Sequence, residues 1–286
     1  MEKLNWQEDK ITFTQAYYTA INSCNIELFG LIKENYDALS GVYPMIEYVI
    51  ERINAVTVLI NEEVLWDADI IVRSALETLV KFVFLADASE AERPGLLDEF
   101  WNGLSEVYSV KLHEQAKKNL RHTAESEVHR LAYSPLVLSE EEVSRLRTKW
   151  PKAERTKLEQ KWSFSGIVNF LSQKNKGTPM EVFEFLTHSY RMSSHLAHGD
   201  EMGISLIQER RSRTAEEELA VHAAHYVRLL SDCFSYCLLT AIYTTQYLKV
   251  SPDYFFELGS SLSELNELME QYHKVPFDDK MYDKFR

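Results

Sequence analysis

Glycine and proline, the residues that most often interrupt regular structure, are scarce in this chain, with 9 glycines and 7 prolines among 286 residues. Between them apolar residues recur at helical spacing, and the alternating pattern of strands separated by hairpin turns is missing. This predicts an all-α, multi-helix bundle with helices near 13–34, 44–60, 62–87, 94–130, 139–149, 162–175, 178–198, 215–249 and 260–273. Helix starts are predicted at Pro44, Pro94 and Pro179, and Thr214 with Glu217 has the spacing of a capping box.

The charge pattern predicts three segments: an N-terminal helical half at 1–131, a charged connector or insertion at 132–161, and a C-terminal helical half at 162–286. The net charge of −13 argues against a protein that coats nucleic acid, because phosphate binding depends on lysine and arginine. Two local basic strips remain as candidate RNA contacts or as ordinary solvated surface. They are residues 145–161 and the cluster of Arg210, Arg211 and Arg213.

Several classes of protein are disfavoured by what the sequence lacks. No signal-peptide pattern opens the chain and no apolar run reaches membrane-spanning length, so we expect a cytoplasmic protein without a membrane partner. The cysteines (Cys24, Cys233 and Cys237) lack metal-ligand spacing and are expected to be buried thiols. Phosphate-loop, dinucleotide and serine-hydrolase motifs are also missing, and no cofactor is predicted.

Polar and titratable residues are concentrated at 190–199, the end of an apolar helix that reads Tyr-Arg-Met-Ser-Ser-His-Leu-Ala-His-Gly. Positions four apart share a helix face, which predicts one stripe of Tyr190, Ser194 and His198 and a second of Arg191 and His195. Gly199 is the residue type that ends a helix in the left-handed conformation. The segment 199–213 is then predicted to be a long functional loop before the helix at 215–249.

An earlier helix carries charges at four-residue spacing: Asp69, Arg73, Glu77 and Lys81. Such a row is ordinarily a solvated stripe of weak ion pairs. Its flanks are strongly apolar, however, and buried charges need partners. The alternative is therefore that Arg73 or Glu77 lies within hydrogen-bonding reach of Tyr190, Ser194 or His198.

Two kinds of chemistry can use these residues. A metal site would require the two His-x-x-His pairs to converge, namely His195, His198, His222 and His225. RNA cleavage through the 2′-hydroxyl needs no metal, only a proton-transfer group and a cation near the phosphate. Arg191 would stabilise the phosphate and His198 would be the acid and base, with His195 as a possible substitute. Arg73, Glu77, Tyr190, Ser194, Arg210 and Arg211 would support or bind the substrate.

The interval from Arg191 to His198 resembles the Arg-x(4–6)-His motif of the HEPN superfamily, small helical domains that include antiviral and toxin ribonucleases. The pair of segments Arg73–Glu77 (Arg-Ser-Ala-Leu-Glu) and Tyr190–Gly199 also resembles a bacterial family of uncharacterised helical proteins. The resemblance implies a HEPN-like core with additional N-terminal helices and a charged central insertion. It also implies a metal-independent endoribonuclease, a defence or toxin effector acting on RNA as a homodimer with a composite site.

The alternative function is a non-catalytic binding or assembly module with a regulatory protein partner. If the protein pairs, the helix at 215–249 is the predicted surface, since it offers more apolar side chains than one bundle face requires. They are Tyr226, Leu229, Leu230, Phe234, Leu238 and Tyr243. Burial in the core of one chain is the competing interpretation.

Overall fold

The computed structural model describes residues 4–123, 126–177 and 186–278, which form helices joined by turns. No strand occurs in these ranges, and the prediction of an all-α multi-helix bundle is confirmed. The α-helices are α1 Trp6–Glu34, α2 Tyr36–Leu39, α3 Tyr43–Asn61, α4 Leu65–Ala86, α5 Arg93–Asp98, α6 Leu104–His122, α7 Glu127–Tyr133, α8 Glu140–Lys149, α9 Lys152–Lys161, α10 Phe164–Lys174, α11 Leu186–His198, α12 Glu201–Ser212, α13 Ala215–Leu248, α14 Asp253–Ser260 and α15 Ser263–Lys274. A π-helical turn, Glu99–Gly103, joins α5 to α6, and 3₁₀ turns lie at Ser134–Leu136 and Val275–Phe277.

The chain forms two compact units. Unit 1 consists of Met1–Asp87 and Asn175–Arg286 and contains α1–α4 and α11–α15, while unit 2 is Ala88–Lys174 and contains α5–α10. These boundaries differ from the predicted division at 131 and 161, because the segment 132–161 folds into α8 and α9 inside unit 2. Unit 2 is thus an insertion in the chain of unit 1.

α13 is the central helix of unit 1 and contacts α1, α3, α4 and α15. A helix surrounded in this way buries apolar residues on all of its sides. The expectation that α13 offers a dimer surface is therefore wrong. Its large apolar side chains fill the core, with Leu238 half-buried and the others buried, namely Tyr226, Leu229, Leu230, Phe234 and Tyr243.

The connection after α11 differs from the predicted loop, because residues 201–212 form α12. Gly199 ends α11 with φ +56°, as predicted. Asp200 then caps α12 by accepting a hydrogen bond from the Gly203 backbone N–H at 3.1 Å. Asp200 is an ordinary N-cap residue type, and it provides the local cause of a helix that the arginine-rich composition concealed.

The other predicted helix signals can be compared directly. Pro44 and Pro94 lie in the first turns of α3 and α5. Thr214 and Glu217 form the predicted capping box at the start of α13. Pro179, with residues 178–185 of the predicted helix, lies outside the described residues. Among the helices of the described ranges, none is long and apolar enough to cross a membrane.

In unit 2 the basic strip 145–161 is partly neutralised by carboxylates of the same unit. Glu106 of α6 accepts hydrogen bonds from Lys149 and from the Trp150 indole, with oxygen–nitrogen distances of 2.6 and 2.7 Å. These contacts, with Lys149 as the largest cause, lower the pKa of Glu106. Lys161 pairs with Glu99 in the same way at 2.5 Å. This part of the strip is ion-paired surface rather than a free cationic track.

Candidate functional site

The predicted meeting of α4 and α11 is confirmed by a three-residue cluster. The Tyr190 hydroxyl accepts a hydrogen bond from Arg73 Nη2 at 2.9 Å and donates one to Glu77 Oε1 at 2.7 Å. Arg73 and Glu77 also form an ion pair at 3.0 Å, and the guanidinium carbon lies 4.6 Å from the centre of the Tyr190 ring. Burial raises the pKa of Tyr190, and the two charged neighbours act on it in opposite directions. The cluster holds α11 on α4, because each group satisfies the others.

The predicted stripe of Tyr190, Ser194 and His198 does not remain on one face. Eight residues of an α-helix turn through about 80° beyond two full turns, so the stripe drifts around the helix. Tyr190 is directed to α4, Ser194 is half-buried and His198 is exposed. Ser193, the neighbour of Ser194, is buried, at 5% exposed.

The outer face of α11 carries Arg191 and His198. Seven residues bring them back to within about 20° of each other around the helix axis. Both are exposed, and neither has a hydrogen bond or ion pair with another residue in the described ranges. His195 is engaged, because its Nδ1 lies 2.7 Å from Asp200 Oδ2, and this hydrogen bond is the largest cause of the lowered pKa of Asp200. Of the three predicted catalytic residues, Arg191 and His198 are therefore exposed, whereas His195 contacts Asp200, the N-cap residue of α12.

The arginines of α12 differ in their surroundings. Arg210 lies over the ring of Trp66, 5.2 Å from its centre, and 3.8 Å from a carboxylate oxygen of Glu218. Arg213 pairs with Glu209 and Glu218. Arg211 is exposed and forms no ion pair with any residue that the structure describes. Of the predicted supporting arginines, Arg211 is thus the one available to a ligand.

Unit 1 also contains a cavity of about 780 Å³, which the sequence did not predict. It lies among α4, α11, α12, α13 and the segment around α15. Its walls are largely apolar and include Trp66, Met192, Leu196, Leu206, Val221 and Ala224. Charged and titratable side chains from α4, the end of α12, α13 and α15 also line it, namely Asp69, Glu209, Arg213, Glu217, His225, Arg228 and His273.

Asp69 is the centre of this polar group. Its carboxylate lies 2.7 Å from His225 Nε2 and accepts a hydrogen bond from Arg228, which also donates to Asp232 at 2.7 Å. Burial by itself raises the pKa of Asp69, but the contacts with His225 and Arg228 outweigh it and the pKa is lowered. Asp69 is therefore held as a carboxylate although it is only 5% exposed.

His273 brings to the cavity a ring nitrogen without a partner among the described residues. Its Nε2 is buried and has no hydrogen bond to any described residue. Burial lowers its pKa, and the charge of Arg228 adds to the effect. A buried imidazole nitrogen without a partner can receive a ligand group that donates or accepts a hydrogen bond.

The four histidines of the metal alternative do not converge. His195 pairs with Asp200 and His225 with Asp69, while His222 lies 3.8 Å from Glu63. The described residues contain no group of three or more histidine, cysteine or carboxylate side chains that could hold a metal ion. The geometry therefore gives no support to a four-histidine centre.

Sequence reasoning missed the Asp69 network although two signals were present. Asp69 is the first charge of the predicted α4 stripe, and His225 and Arg228 are spaced three residues apart on one face of α13. The sequence did not indicate that His225 and Arg228 contact Asp69, from which they are separated by 156 and 159 residues of chain.

The fold and the site define an all-α protein in which an inserted helical unit interrupts a helical core. The chain belongs to the family of unknown function DUF5677, whose family model matches residues 42–214. The match covers more than half of the chain and spans α3 to α12, including the Arg73–Glu77–Tyr190 cluster and the outer face of α11. No curated protein and no solved structure matches the chain.

Proposed function

We propose that this protein is a metal-independent, HEPN-like endoribonuclease, with Arg191 and His198 as the reacting residues. The observation that carries the proposal is the exposed face of α11, where a guanidinium and an imidazole two turns apart have no hydrogen bond or ion pair with any residue that the structure describes. The Tyr190 cluster, on the neighbouring side of α11, fixes this helix against α4. A pair held on a rigid helix and open to solvent is able to receive a phosphodiester.

The chemistry needs only groups that this face provides. The neutral imidazole of His198 accepts the proton of the RNA 2′-hydroxyl as its oxygen attacks phosphorus. The bond from phosphorus to the 5′-oxygen breaks, the leaving oxygen takes a proton, and a 2′,3′-cyclic phosphate remains. Arg191 stabilises the negative charge that builds up on the phosphate oxygens.

A second copy of the chain would supply the second imidazole, because one His198 cannot donate a proton at the moment it accepts one. Exposed apolar side chains on α12 support such pairing beside the end of α11: Met202, Ile204 and Ile207. A homodimer places two basic faces at one groove, which strengthens RNA attraction on an acidic protein. Light scattering that shows a monomer at micromolar concentration contradicts the composite site.

Cleavage of a labelled single-stranded RNA in EDTA tests the proposal. The expected product carries a cyclic phosphate, and His198→Ala should lower the rate by about 10²-fold or more. His122→Ala is the matched control, because His122 is also an exposed histidine in the last turn of a helix, α6. Cleavage that requires a metal ion, or that His198→Ala leaves intact, overturns the assignment. An effector of cellular defence or toxicity should also arrest growth when expressed, and His198→Ala should not.

A second candidate is a non-catalytic binding module, and the 780 Å³ cavity favours it. Apolar walls around one unpartnered imidazole suit a small, mainly apolar molecule with a single polar group. An anilinonaphthalene sulfonate dye should brighten in the cavity, and Ala224→Phe, which fills it, should remove the signal. Dye binding together with no RNA cleavage by the wild-type protein would make this the better account.

A further inference from the structure

Unit 2 contains a cationic pocket of about 540 Å³ that is not part of the proposed ribonuclease site. α6 contributes Lys111 and Lys118, α8 contributes Arg147, and α9 contributes Arg155. Lys111 and Lys118 are seven residues apart and so lie on one face of α6. Three helices thus bring four cations to one concavity, on a chain whose net charge is −13.

The neighbouring carboxylates neutralise only part of this charge. Lys111 pairs with Glu159 and Arg147 pairs with Glu114, each at 2.6 Å. Lys118 and Arg155 have no ion pair within the part of the chain that the structure describes. Four cations therefore face two carboxylates, and an excess of positive charge remains in the pocket.

Arg155 adds a second observation. Its Nε is buried and has no hydrogen-bond partner among the described residues. A buried donor on a charged group costs free energy unless an acceptor reaches it. Like charges held together raise the cost further, and an anion bound between them removes both costs.

We propose that this pocket binds an oligophosphate group, of the kind carried by a nucleoside diphosphate or triphosphate. Guanidinium groups match phosphate oxygens in a planar, two-pronged geometry, and lysines add point charges. Adjacent phosphates concentrate several negative charges in a small volume, which fits four cations around one concavity. An RNA backbone spreads its charges along the strand, which fits an extended track better than a pocket. The proposal does not depend on ribonuclease activity.

Calorimetric titration of the whole protein with inorganic tripolyphosphate tests the site, and titration with ATP tests its nucleotide source. Arg155→Gln and Lys118→Gln should each weaken binding by about tenfold or more, since each removes a charge-assisted contact. Lys157→Gln is the matched control, because Lys157 is exposed on α9 two residues from Arg155 and does not line the pocket. It should change affinity less than twofold.

Three outcomes overturn the proposal. Wild-type protein could fail to bind tripolyphosphate and ATP at millimolar concentration. All three variants could weaken binding equally, which would indicate nonspecific attraction to surface charge. A single-stranded RNA could bind more tightly than tripolyphosphate with the same dependence on Arg155, which would assign the pocket to a nucleic acid backbone. Circular dichroism of each variant checks the fold, and the titration does not use RNA cleavage, so the two proposals fail separately.

Discussion

Gly203 lies where α12 crosses the end of α11, and we expect its replacement by alanine to destabilise the protein. A Cβ added at Gly203 would lie 2.4 Å from the His195 carbonyl oxygen and 2.9 Å from the His195 carbonyl carbon. Both neighbours are backbone atoms of α11, so no side chain can rotate to make room. The helices would have to separate until the first distance exceeded about 3.0 Å, below which real Cβ contacts essentially do not occur.

Two opposing contributions determine how much Gly203→Ala changes the free energy of unfolding. Alanine favours the helical backbone over glycine by about 1 kcal/mol. Overpacking costs about 1–3 kcal/mol, and a clash with rigid backbone belongs at the upper end of that range. The net expectation for Gly203→Ala is a loss of about 2 kcal/mol, which lowers the Tm by roughly 4–8 °C for a unit of this size.

Thermal and urea unfolding followed by circular dichroism measure this loss. Gly30→Ala is the control, because Gly30 is an exposed residue of α1 and a Cβ there meets nothing within 4 Å. It should gain about 0.5–1 kcal/mol. If Gly203→Ala is as stable as the wild-type protein while Gly30→Ala shows its gain, the close packing of α12 on α11 is refuted.

Two further predictions concern the cavity. Asp69→Asn leaves Arg228 with one carboxylate partner, so the free energy of unfolding measured in urea should fall by about 3 kcal/mol, near the lower end for a broken buried pair. The control is Asp67→Asn at an exposed position, which should cost less than about 1 kcal/mol. Equal losses in the two variants would contradict a special role for Asp69. Burial lowers the pKa of His273 below its ordinary value near 6.5, so the unfolded chain takes up the proton first and stability falls as the pH drops from about 6.5 through the lowered pKa. The Tm of His273→Gln should therefore fall less than the Tm of the wild-type protein between pH 7.5 and 5.5. Parallel plots of Tm against pH for the two proteins would contradict a lowered pKa at His273.

Local signals in the sequence predicted the helical elements well where a chemical cause lies within a few residues. The capping box of Thr214 and Glu217 and the left-handed Gly199 are of this kind. α12 was missed because its cap, Asp200, follows that glycine directly, and the glycine and arginines around it resemble a loop.

One tertiary contact was also predictable, that of Arg73 and Glu77 with Tyr190. Charges in an apolar helix need partners, and few polar stripes elsewhere in the chain are available to provide them. The four-residue spacing also placed His198 on the same face as Tyr190, and that prediction was wrong, because a helix drifts by about 80° over eight residues.

The sequence by itself determined the class of fold, most helix positions and the residue types that gather near the end of α11, since these follow from periodicity and from contacts within a few residues of chain. The tertiary structure alone decided which face of each helix is covered. It brought Asp69 to His225 across 156 residues and Lys118 into one pocket with Arg155. It left Arg191 and His198 exposed, while the large apolar side chains of α13 became part of the core. Helix packing decides which residues are buried and which meet, because rotating a helix about its axis by a few tens of degrees exchanges a buried face for an exposed one. No local sequence pattern specifies that rotation.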